Sequence, residues 1–167
     1  MSAISCRPAT ESDFPALAAM YEKLNAYFFQ VGYLLPRPEN VGELWLESFR
    51  RTLGRFSNVF IAEREGRPQG FILCRLKRLP AHMGGLLVGE VSDVWVEAEA
   101  RRASVGEALA QAGLDWLGGQ GVHSVEVQVL KENQGSLKFF ESLGFMLELR
   151  ALRLILEKDA QQAARFE

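Results

Sequence analysis

The chain is poor in the residues that build disulfide frameworks and metal centres. Its 167 residues include two cysteines and two histidines. Cys6 and Cys74 stand in separate apolar stretches, and neither has a histidine beside it. This spacing argues against a disulfide framework and against a zinc site. We expect two buried, free thiols and no bound metal.

The chain also lacks long apolar runs and an excess of positive charge. No apolar run approaches the roughly 20 residues that a membrane-spanning helix needs. The first residues, MSAISCRPATESD, do not follow the basic and then apolar pattern of a signal peptide. With 19 basic and 21 acidic residues, the formal net charge is -2, which disfavours a nucleic-acid surface rich in Lys and Arg. We expect a cytoplasmic protein that binds neither nucleic acid nor membranes.

The remaining composition is typical of one globular domain. Hydrophobic residues make up 48% of the chain and charged residues 24%, so a substantial core can form. We predict a single domain over residues 1–158 and a C-terminal tail over 159–167. No G-x-x-x-x-G-K-[ST] run occurs in the chain, which disfavours a P-loop nucleotide site.

Apolar spacing and turn residues predict an alternating series of strands and helices. The predicted order is β-α-α-β-β-β-α-β-α-β-β, and the strictest alternation is in SVEVQVL, residues 124–130. The last two strands are expected in FMLELRALRLILEK, around Arg150 and Ala151. This order predicts a mixed α/β fold, with a central sheet of roughly six to seven strands flanked by about four helices.

The stretch from Val88 to Gly106 carries the strongest functional signal. An apolar strand there ends in a short basic turn that opens into a helix. The free N–H groups of a first helical turn, together with the helix dipole, bind anions such as a pyrophosphate. Small residues let the backbone approach the anion, and Arg101 and Arg102 neutralise its charge. The small residues are Ala103, Ser104 and Gly106. We therefore expect a phosphorylated ligand.

Two sequence blocks at and after this junction follow a known pattern. The first, from Arg101 to Gly106, fits Q/R-x-x-G-x-G/A except that Ser104 replaces the first glycine. The second, NQGSLKFFESLGF at residues 133–145, fits N-x-x-A-x-x-x-Y-x-x-x-G-F except at Ser136 and Phe140. Together with the opening IxxRPATxxDFPALAAMY, these blocks resemble the GNAT superfamily of acyl-CoA-dependent N-acyltransferases. The resemblance extends over residues 4–156.

The resemblance implies that the chain binds acetyl-CoA as a co-substrate. The strand ending in Val94, Trp95 and Val96 would splay from its neighbour and pair with the pantetheine arm. The turn and the helix start would hold the pyrophosphate, and Asn133 would bond the pantetheine or order the strand end. For the Trp95 side chain, core packing is the simpler interpretation. The implied cofactor-binding residues are Val94, Trp95, Val96, Arg101, Arg102, Ala103, Ser104, Val105, Gly106, Glu107, Asn133, Ser136 and Phe140.

Acyl transfer to an amine requires a group that accepts the amine proton. Glu90 lies eleven residues before Arg101, where some family members place a catalytic glutamate. Asp93 is the alternative base and a candidate for substrate binding. Strand alternation puts the two carboxylates on opposite faces, so only one faces the substrate unless the strand has a bulge. That Glu90 is a surface carboxylate, or binds a cationic substrate, stays open.

A proton donor for the leaving thiolate is harder to assign. Many family members use a tyrosine where this chain has Phe140, which has no proton to donate. Tyr21 falls on an apolar stripe and is expected in the core, whereas Tyr27 and Tyr33 are candidates for substrate contact. Ser104 is expected to be harmless at its glycine position if its φ angle is negative.

These features favour an N-acetyltransferase. It would transfer an acetyl group from acetyl-CoA to a primary amine of a small molecule or peptide, by direct attack in a ternary complex. No cysteine is placed to support a covalent acyl-enzyme. Because Phe140 and Ser104 depart from the family pattern, a noncatalytic acyl-CoA-binding or regulatory module of the same fold is the alternative. A homodimer formed through the exposed sheet edge or the second helix is also open.

Overall fold

A computed structural model describes residues 3–101 and 103–157 of the chain. The helices in this part are α1 (Phe14–Gln30), α2 (Val41–Arg50), α3 (Val105–Gly119) and α4 (Gln134–Ser142). The strands are β1 (Ser5–Pro8), β2 (Ser57–Arg64), β3 (Arg67–Arg78), β4 (Leu87–Val96) and β5 (Val125–Val127). Arg102 and the expected tail at 159–167 lie outside the described residues.

The strands form one mixed sheet in the order β1-β2-β3-β4-β5. Neighbouring strands are antiparallel except for β4 and β5, which are parallel. The connection from β4 to β5 runs through α3, as parallel strands require a crossover. The mixed α/β class and the four helices agree with the sequence prediction.

The predicted strand count was wrong, because the sheet formed by the described residues has five strands rather than six to seven. The missing strands are those expected around Arg150 and Ala151, where residues 146–154 form no ladder with the described part of the chain. Alternating leucines give a segment the tendency to form a strand, but the strand exists only when a neighbouring edge accepts its backbone hydrogen bonds.

Side chains of β3 alternate between two hydrophobic cores. Phe71 and Leu73 pack beneath α1 and α2, and Ile72 and Cys74 pack beneath α3. Both cysteines are free thiols, as expected, although Cys6 is only partly buried. Burial raises the pKa of the Cys74 thiol to about 12, so this thiol is inert at neutral pH.

Close backbone contacts hold β3 against β4. A Cβ atom at Gly70 would lie 2.4 Å from the carbonyl oxygen of Trp95, so only glycine fits at this position. The β2–β3 hairpin closes through Glu65 and Gly66, whose φ angles are +52° and +71°. Positive φ at both central positions is the geometry of a type I′ turn.

Among the described residues, no helix is long and apolar enough to cross a membrane.

Candidate active site

A bulge in β4 brings two carboxylates to one face of the sheet. Leu73 pairs with Asp93 and Cys74 pairs with Val91, so Ser92 has no partner in β3. The extra residue resets the alternation of side chains. Glu90 and Asp93, which strict alternation placed on opposite faces, therefore both line a pocket beneath α1 and α2.

This pocket has a volume of about 530 Å³ and contains both charged and aromatic groups. Tyr21 of α1 and Trp45 of α2 form one wall, with their rings stacked 4.5 Å apart. Burial raises the pKa of the Tyr21 hydroxyl to about 12, so it stays protonated at neutral pH. Arg75 of β3 also lines the pocket, and its Nη2 donates to the Ser48 hydroxyl at 2.7 Å.

Asp93 lies in an environment that disfavours its charged form. The side chain is partly buried, and this desolvation raises the pKa of its carboxyl to about 6. The indole Nε1 of Trp45 donates to Asp93 Oδ2 at 2.9 Å, which opposes the rise because it favours the charged form. The neighbouring Glu90 adds to the rise, and Glu90 itself accepts a 2.6 Å hydrogen bond from the Ser92 hydroxyl.

Beyond the bulge, one edge of β4 is open. β4 pairs with β5 only from Gly89 to Val91, although β4 continues to Val96. The backbone of Val94, Trp95 and Val96 therefore has no partner on the β5 side among the described residues. An extended ligand can take the place of the missing strand at such an edge. The family resemblance implies that a pantetheine arm pairs with this part of β4.

The Trp95 side chain packs against the core beneath α1, in agreement with the simpler interpretation. The Arg101 guanidinium lies 4.8 Å from the centroid of the Trp95 ring. The centroid of the Tyr27 ring lies 6.4 Å from the same centroid. Arg101 Nε also donates to the carbonyl of Val96 at 3.1 Å. Arg101 thus fixes the end of β4 to the turn before α3.

The helices α2 and α3 begin with the same three residues. Val41-Gly42-Glu43 opens α2 after Asn40, and Val-Gly-Glu at residues 105–107 opens α3 after Ser104. Both preceding residues have left-handed φ angles, +54° for Asn40 and +59° for Ser104. The expectation of a harmless Ser104 depended on a negative φ, so the structure contradicts it: serine is strained in this region.

The two helix starts differ in what accepts their free N–H groups. In α2, the N–H of Gly42 donates to Glu22 Oε1 at 2.8 Å, so the chain supplies its own anion. In α3, the bond that closes the first turn runs from the Ala108 N–H to the Ser104 carbonyl. No described residue accepts from the N–H groups of residues 105–107. Among the described residues, the α3 start therefore has no side-chain anion of its own, and a helix start of this kind favours an external anion.

The residues around this helix start fit a diphosphate. A Cβ atom at Gly106 would lie 3.5 Å from the Phe139 ring, an ordinary contact, and the φ of Gly106 is not positive. Packing within the protein therefore does not require glycine there. Ala103 is also small, and Ser104 and Glu107 are exposed. Side chains at these positions leave the backbone accessible, as a cradle for phosphate oxygens needs.

The α4 segment contributes an amide rather than an acid. Asn133 caps α4, and its Oδ1 accepts from the Ser136 N–H at 3.3 Å and from the Tyr27 hydroxyl at 3.4 Å. Phe140 is buried, with Phe139 and Phe145 packed at ring distances of 5.2 and 5.3 Å. The Tyr27 hydroxyl from α1 therefore lies at the start of the helix that has no tyrosine of its own.

Other expected site residues are dispersed. Tyr33 packs against Phe28 and Phe29 and does not line the pocket of Asp93. Sequence reasoning missed Trp45, because an apolar residue on the stripe of α2 is normally a core residue. Only the contact between its indole N–H and Asp93 distinguishes it, and no sequence signal indicates that contact.

Comparisons with known proteins agree with this geometry. Residues 17–145 match the sequence profile of the Acetyltransferase (GNAT) family. The mycothiol acetyltransferase of Amycolatopsis mediterranei is 34% identical over 87 residues, which cover 52% of this chain and 29% of that protein. The glucosamine 6-phosphate N-acetyltransferase of Trypanosoma brucei brucei is 30% identical over 133 residues, which cover 78% of this chain and 88% of that protein.

A solved structure of the aminoglycoside N-acetyltransferase AAC(6')-Iy in complex with CoA has a TM-score of 0.74 and 17% identity. The match covers 94% of this chain and 97% of that one, and it shows a shared fold. The chain spans less than half the length of the mycothiol acetyltransferases it matches. The profile match covers most of the chain, and the chain therefore belongs to the acetyltransferase (GNAT) family.

Proposed function

We propose that the chain is an acetyl-CoA-dependent N-acetyltransferase that acts on a primary amine of a small molecule. One observation carries the proposal: a single strand, β4, bears two functional features side by side. Its bulge presents Glu90 and Asp93 to a pocket, and the next residues offer an unpaired backbone edge that leads to the free N-terminus of α3. An acceptor in the pocket would therefore meet an acyl group held along the edge.

The cofactor would be held by backbone more than by side chains. The open edge at residues 94–96 would pair with the pantetheine arm, and the N–H groups of residues 105–107 would bind the diphosphate. Arg101 would add positive charge beside it, as would Arg102, which lies outside the described residues. When bound, acetyl-CoA supplies an activated thioester, so the chain needs only to place the amine and move protons.

Asp93 is the group that we assign to proton removal from the amine. A carboxyl with a pKa of about 6 is ionised at neutral pH but remains more basic than an ordinary aspartate. Glu90, 2.6 Å from the Ser92 hydroxyl, would attract the cationic form of the acceptor into the pocket. The sequence-based expectation had Glu90 as the first candidate for the base and Asp93 as the alternative, so this division of roles exchanges the two.

Tyr27 is the group that we assign to protonation of the leaving sulfur. Its hydroxyl donates to Asn133 at 3.4 Å, and its ring lies beside Trp95 at the end of the open edge. Phe140, in the position where the family commonly has tyrosine, is buried and has no hydroxyl. The bound cation first loses one proton to water, which frees the lone pair of its nitrogen. In the direct reaction, the neutral nitrogen then bonds to the acyl carbon as the carbon–sulfur bond breaks. Asp93 accepts the second amine proton, and Tyr27 donates a proton to the sulfur.

The similar proteins indicate a class of acceptor. Their names include a glucosamine 6-phosphate and an aminoglycoside acetyltransferase, and both kinds of acceptor are amino sugars. A pocket with two carboxylates and stacked aromatic rings suits a cationic amine on a polar ring. Amino sugars are therefore the first acceptors to test.

The test is release of CoA thiol from acetyl-CoA across a panel of amines. We expect amine-dependent release by the wild-type protein and by Glu47→Gln, which changes an exposed carboxylate of α2 outside the pocket. Asp93→Asn should lower kcat/KM by about 100-fold or more, the usual contribution of a general base. Acetyl-CoA binding without thiol release for any amine would favour a noncatalytic binding module instead, for which the strained Ser104 and the buried Phe140 are the motivating features.

A further inference from the structure

Three basic side chains near the end of β3 differ in what they contact. Lys77 forms an ion pair with Glu126 of β5. Arg78 is exposed and donates to the carbonyl of Gly85 at 2.9 Å. Arg75 is partly buried and lines the pocket beneath α1 and α2. A guanidinium in this pocket repels a cationic acceptor unless the acceptor also carries negative charge.

Arg75 has no carboxylate partner in the described part of the chain. It lies directly opposite Glu90 in the register of β3 and β4, a placement in which opposite charges can pair. The two side chains nevertheless form no ion pair. Glu90 instead accepts from the Ser92 hydroxyl at 2.6 Å. The charge of the guanidinium is therefore left for another anion.

Ser48 of α2 fixes the guanidinium at the wall of the pocket. The Ser48 hydroxyl donates to the carbonyl of Trp45 at 2.6 Å, and its oxygen accepts from Arg75 Nη2 at 2.7 Å. Within the described residues, this is the one side-chain hydrogen bond of Arg75. A guanidinium has five N–H donors in a planar fork that matches a carboxylate or a phosphate. Most of these donors therefore remain available to a bound anion.

Arg75 and Asp93 act on each other's charge across the pocket. Burial raises the pKa of the Asp93 carboxyl to about 6, and Trp45 and Arg75 oppose the rise. Burial also raises the pKa of Tyr21 to about 12, and there Asp93 adds to the rise while Arg75 opposes it. One cation and two carboxylates thus face the same space. Its volume of about 530 Å³ accommodates a small molecule that carries both signs of charge.

We propose that the acceptor is a zwitterion, in which a primary amine and an anionic group, a carboxylate or a phosphate, belong to one small molecule. Arg75 binds the anionic group, while Glu90 and Asp93 face the amine. Arg75 thereby determines specificity and takes no part in proton transfer. This inference rests on the proposed function, because it names the acceptor class for the same site.

The test compares acceptors that differ in one anionic group. Glucosamine and glucosamine 6-phosphate differ in a phosphate, as do ethanolamine and O-phosphoethanolamine, whereas ethanolamine and L-serine differ in a carboxylate. For the wild-type protein, kcat/KM from CoA thiol release should be about 10- to 100-fold higher for the anionic member of at least one pair, the usual effect of hydrogen bonds to a charged group. The preferred pair identifies the anion that Arg75 binds. Equal kcat/KM values within every pair would overturn the proposal.

Variants on β3 assign this preference to Arg75. Arg75→Gln should lower the ratio of kcat/KM between the anionic and the neutral member to about 1, and Arg75→Lys, which keeps the charge without the fork, should retain part of the ratio. Arg78→Gln changes an exposed arginine outside the pocket and should keep the full ratio. Because each ratio is taken within one variant, a loss of folded protein affects both members equally. A ratio that survives Arg75→Gln would contradict the assignment.

Binding measured without turnover separates this inference from the proposed function. If no amine releases thiol, the proposed function fails, and titration calorimetry of the same acceptors into protein saturated with CoA still tests the pocket. The anionic member of a pair should bind the wild-type protein at least about 10-fold more tightly than the neutral member, and Arg75→Gln should bind both equally. Equal affinities for the wild-type protein would rule out the anion site.

Discussion

Substitution of Asp93 by asparagine should stabilise the protein at neutral pH while it impairs catalysis. The wild-type carboxyl lowers the stability of the folded protein only when it is charged, because burial disfavours its ionised form. The amide of the Asp93→Asn variant has no charge to bury, and its oxygen can still accept the hydrogen bond from the Trp45 indole. The variant therefore removes the cost of the charge and keeps the main contact.

The size and the pH range of this effect follow from the pKa. The ordinary value is 3.8 and the folded value is about 6, so the folded protein binds more protons than the unfolded chain between these values. The unfolding free energy of the wild-type protein therefore falls as the pH rises from about 4 to 6. A difference of about 2 in pKa corresponds to at most about 3 kcal/mol. Above about pH 6 the carboxyl is ionised in both the folded and the unfolded state, so the free-energy penalty for burying its charge no longer changes with pH.

The assay is urea unfolding followed by tryptophan fluorescence at a series of pH values. Relative to the wild-type protein, Asp93→Asn should gain up to about 3 kcal/mol between pH 4 and pH 7. A control, Asp115→Asn, changes an exposed carboxylate of α3 and should show no such pH-dependent gain. If the unfolding free energies of the wild-type protein and of Asp93→Asn change in parallel from pH 4 to pH 7, the claim that ionisation of Asp93 destabilises the folded protein is refuted.

Three further predictions concern the left-handed residues and the helix starts. Ser104→Gly should raise the unfolding free energy by about 0.5–1 kcal/mol in urea titrations, because glycine tolerates positive φ; Asn40→Gly should change it less, because asparagine already tolerates that region. Glu107→Gln should lower the unfolding free energy by about 0.5 kcal/mol, because the Glu107 carboxylate interacts favourably with the helix dipole. The same variant should raise the affinity for acetyl-CoA two- to five-fold in calorimetry, because the carboxylate repels a diphosphate. Glu43→Gln should lower stability similarly and leave the affinity unchanged, and an equal effect on affinity would contradict the α3 assignment. Glu65→Asn should raise Tm by a few degrees because asparagine suits the type I′ turn, and an unchanged Tm would count against that turn geometry.

The sequence was sufficient for the features that depend on local chemistry. The start of α3 at Val105 and the hairpin between β2 and β3 follow from apolar periodicity and turn residues. The repeated Val-Gly-Glu at two helix starts is also visible in the sequence. Which of the two is open to a ligand depends on Glu22, a residue of another helix.

Features that depend on pairing across the sheet could not be predicted. The bulge at Ser92 appears only in the register between β3 and β4, and it decides that Glu90 and Asp93 share a pocket. The φ angle of Ser104 is likewise set by how the turn joins β4 to α3. The alternating leucines near Leu152 predicted a strand, but a ladder needs a neighbouring edge, and alternation within one segment does not identify that edge.

The diphosphate site at the start of α3 is the central claim about this molecule. Calorimetric titration with acetyl-CoA and with acetyl-pantetheine, which lacks the diphosphate and the nucleotide, tests it. We predict that acetyl-CoA binds and that acetyl-pantetheine binds at least about 100-fold more weakly, a difference of about 2.7 kcal/mol. Equal affinities, or no binding of acetyl-CoA, would contradict the assignment.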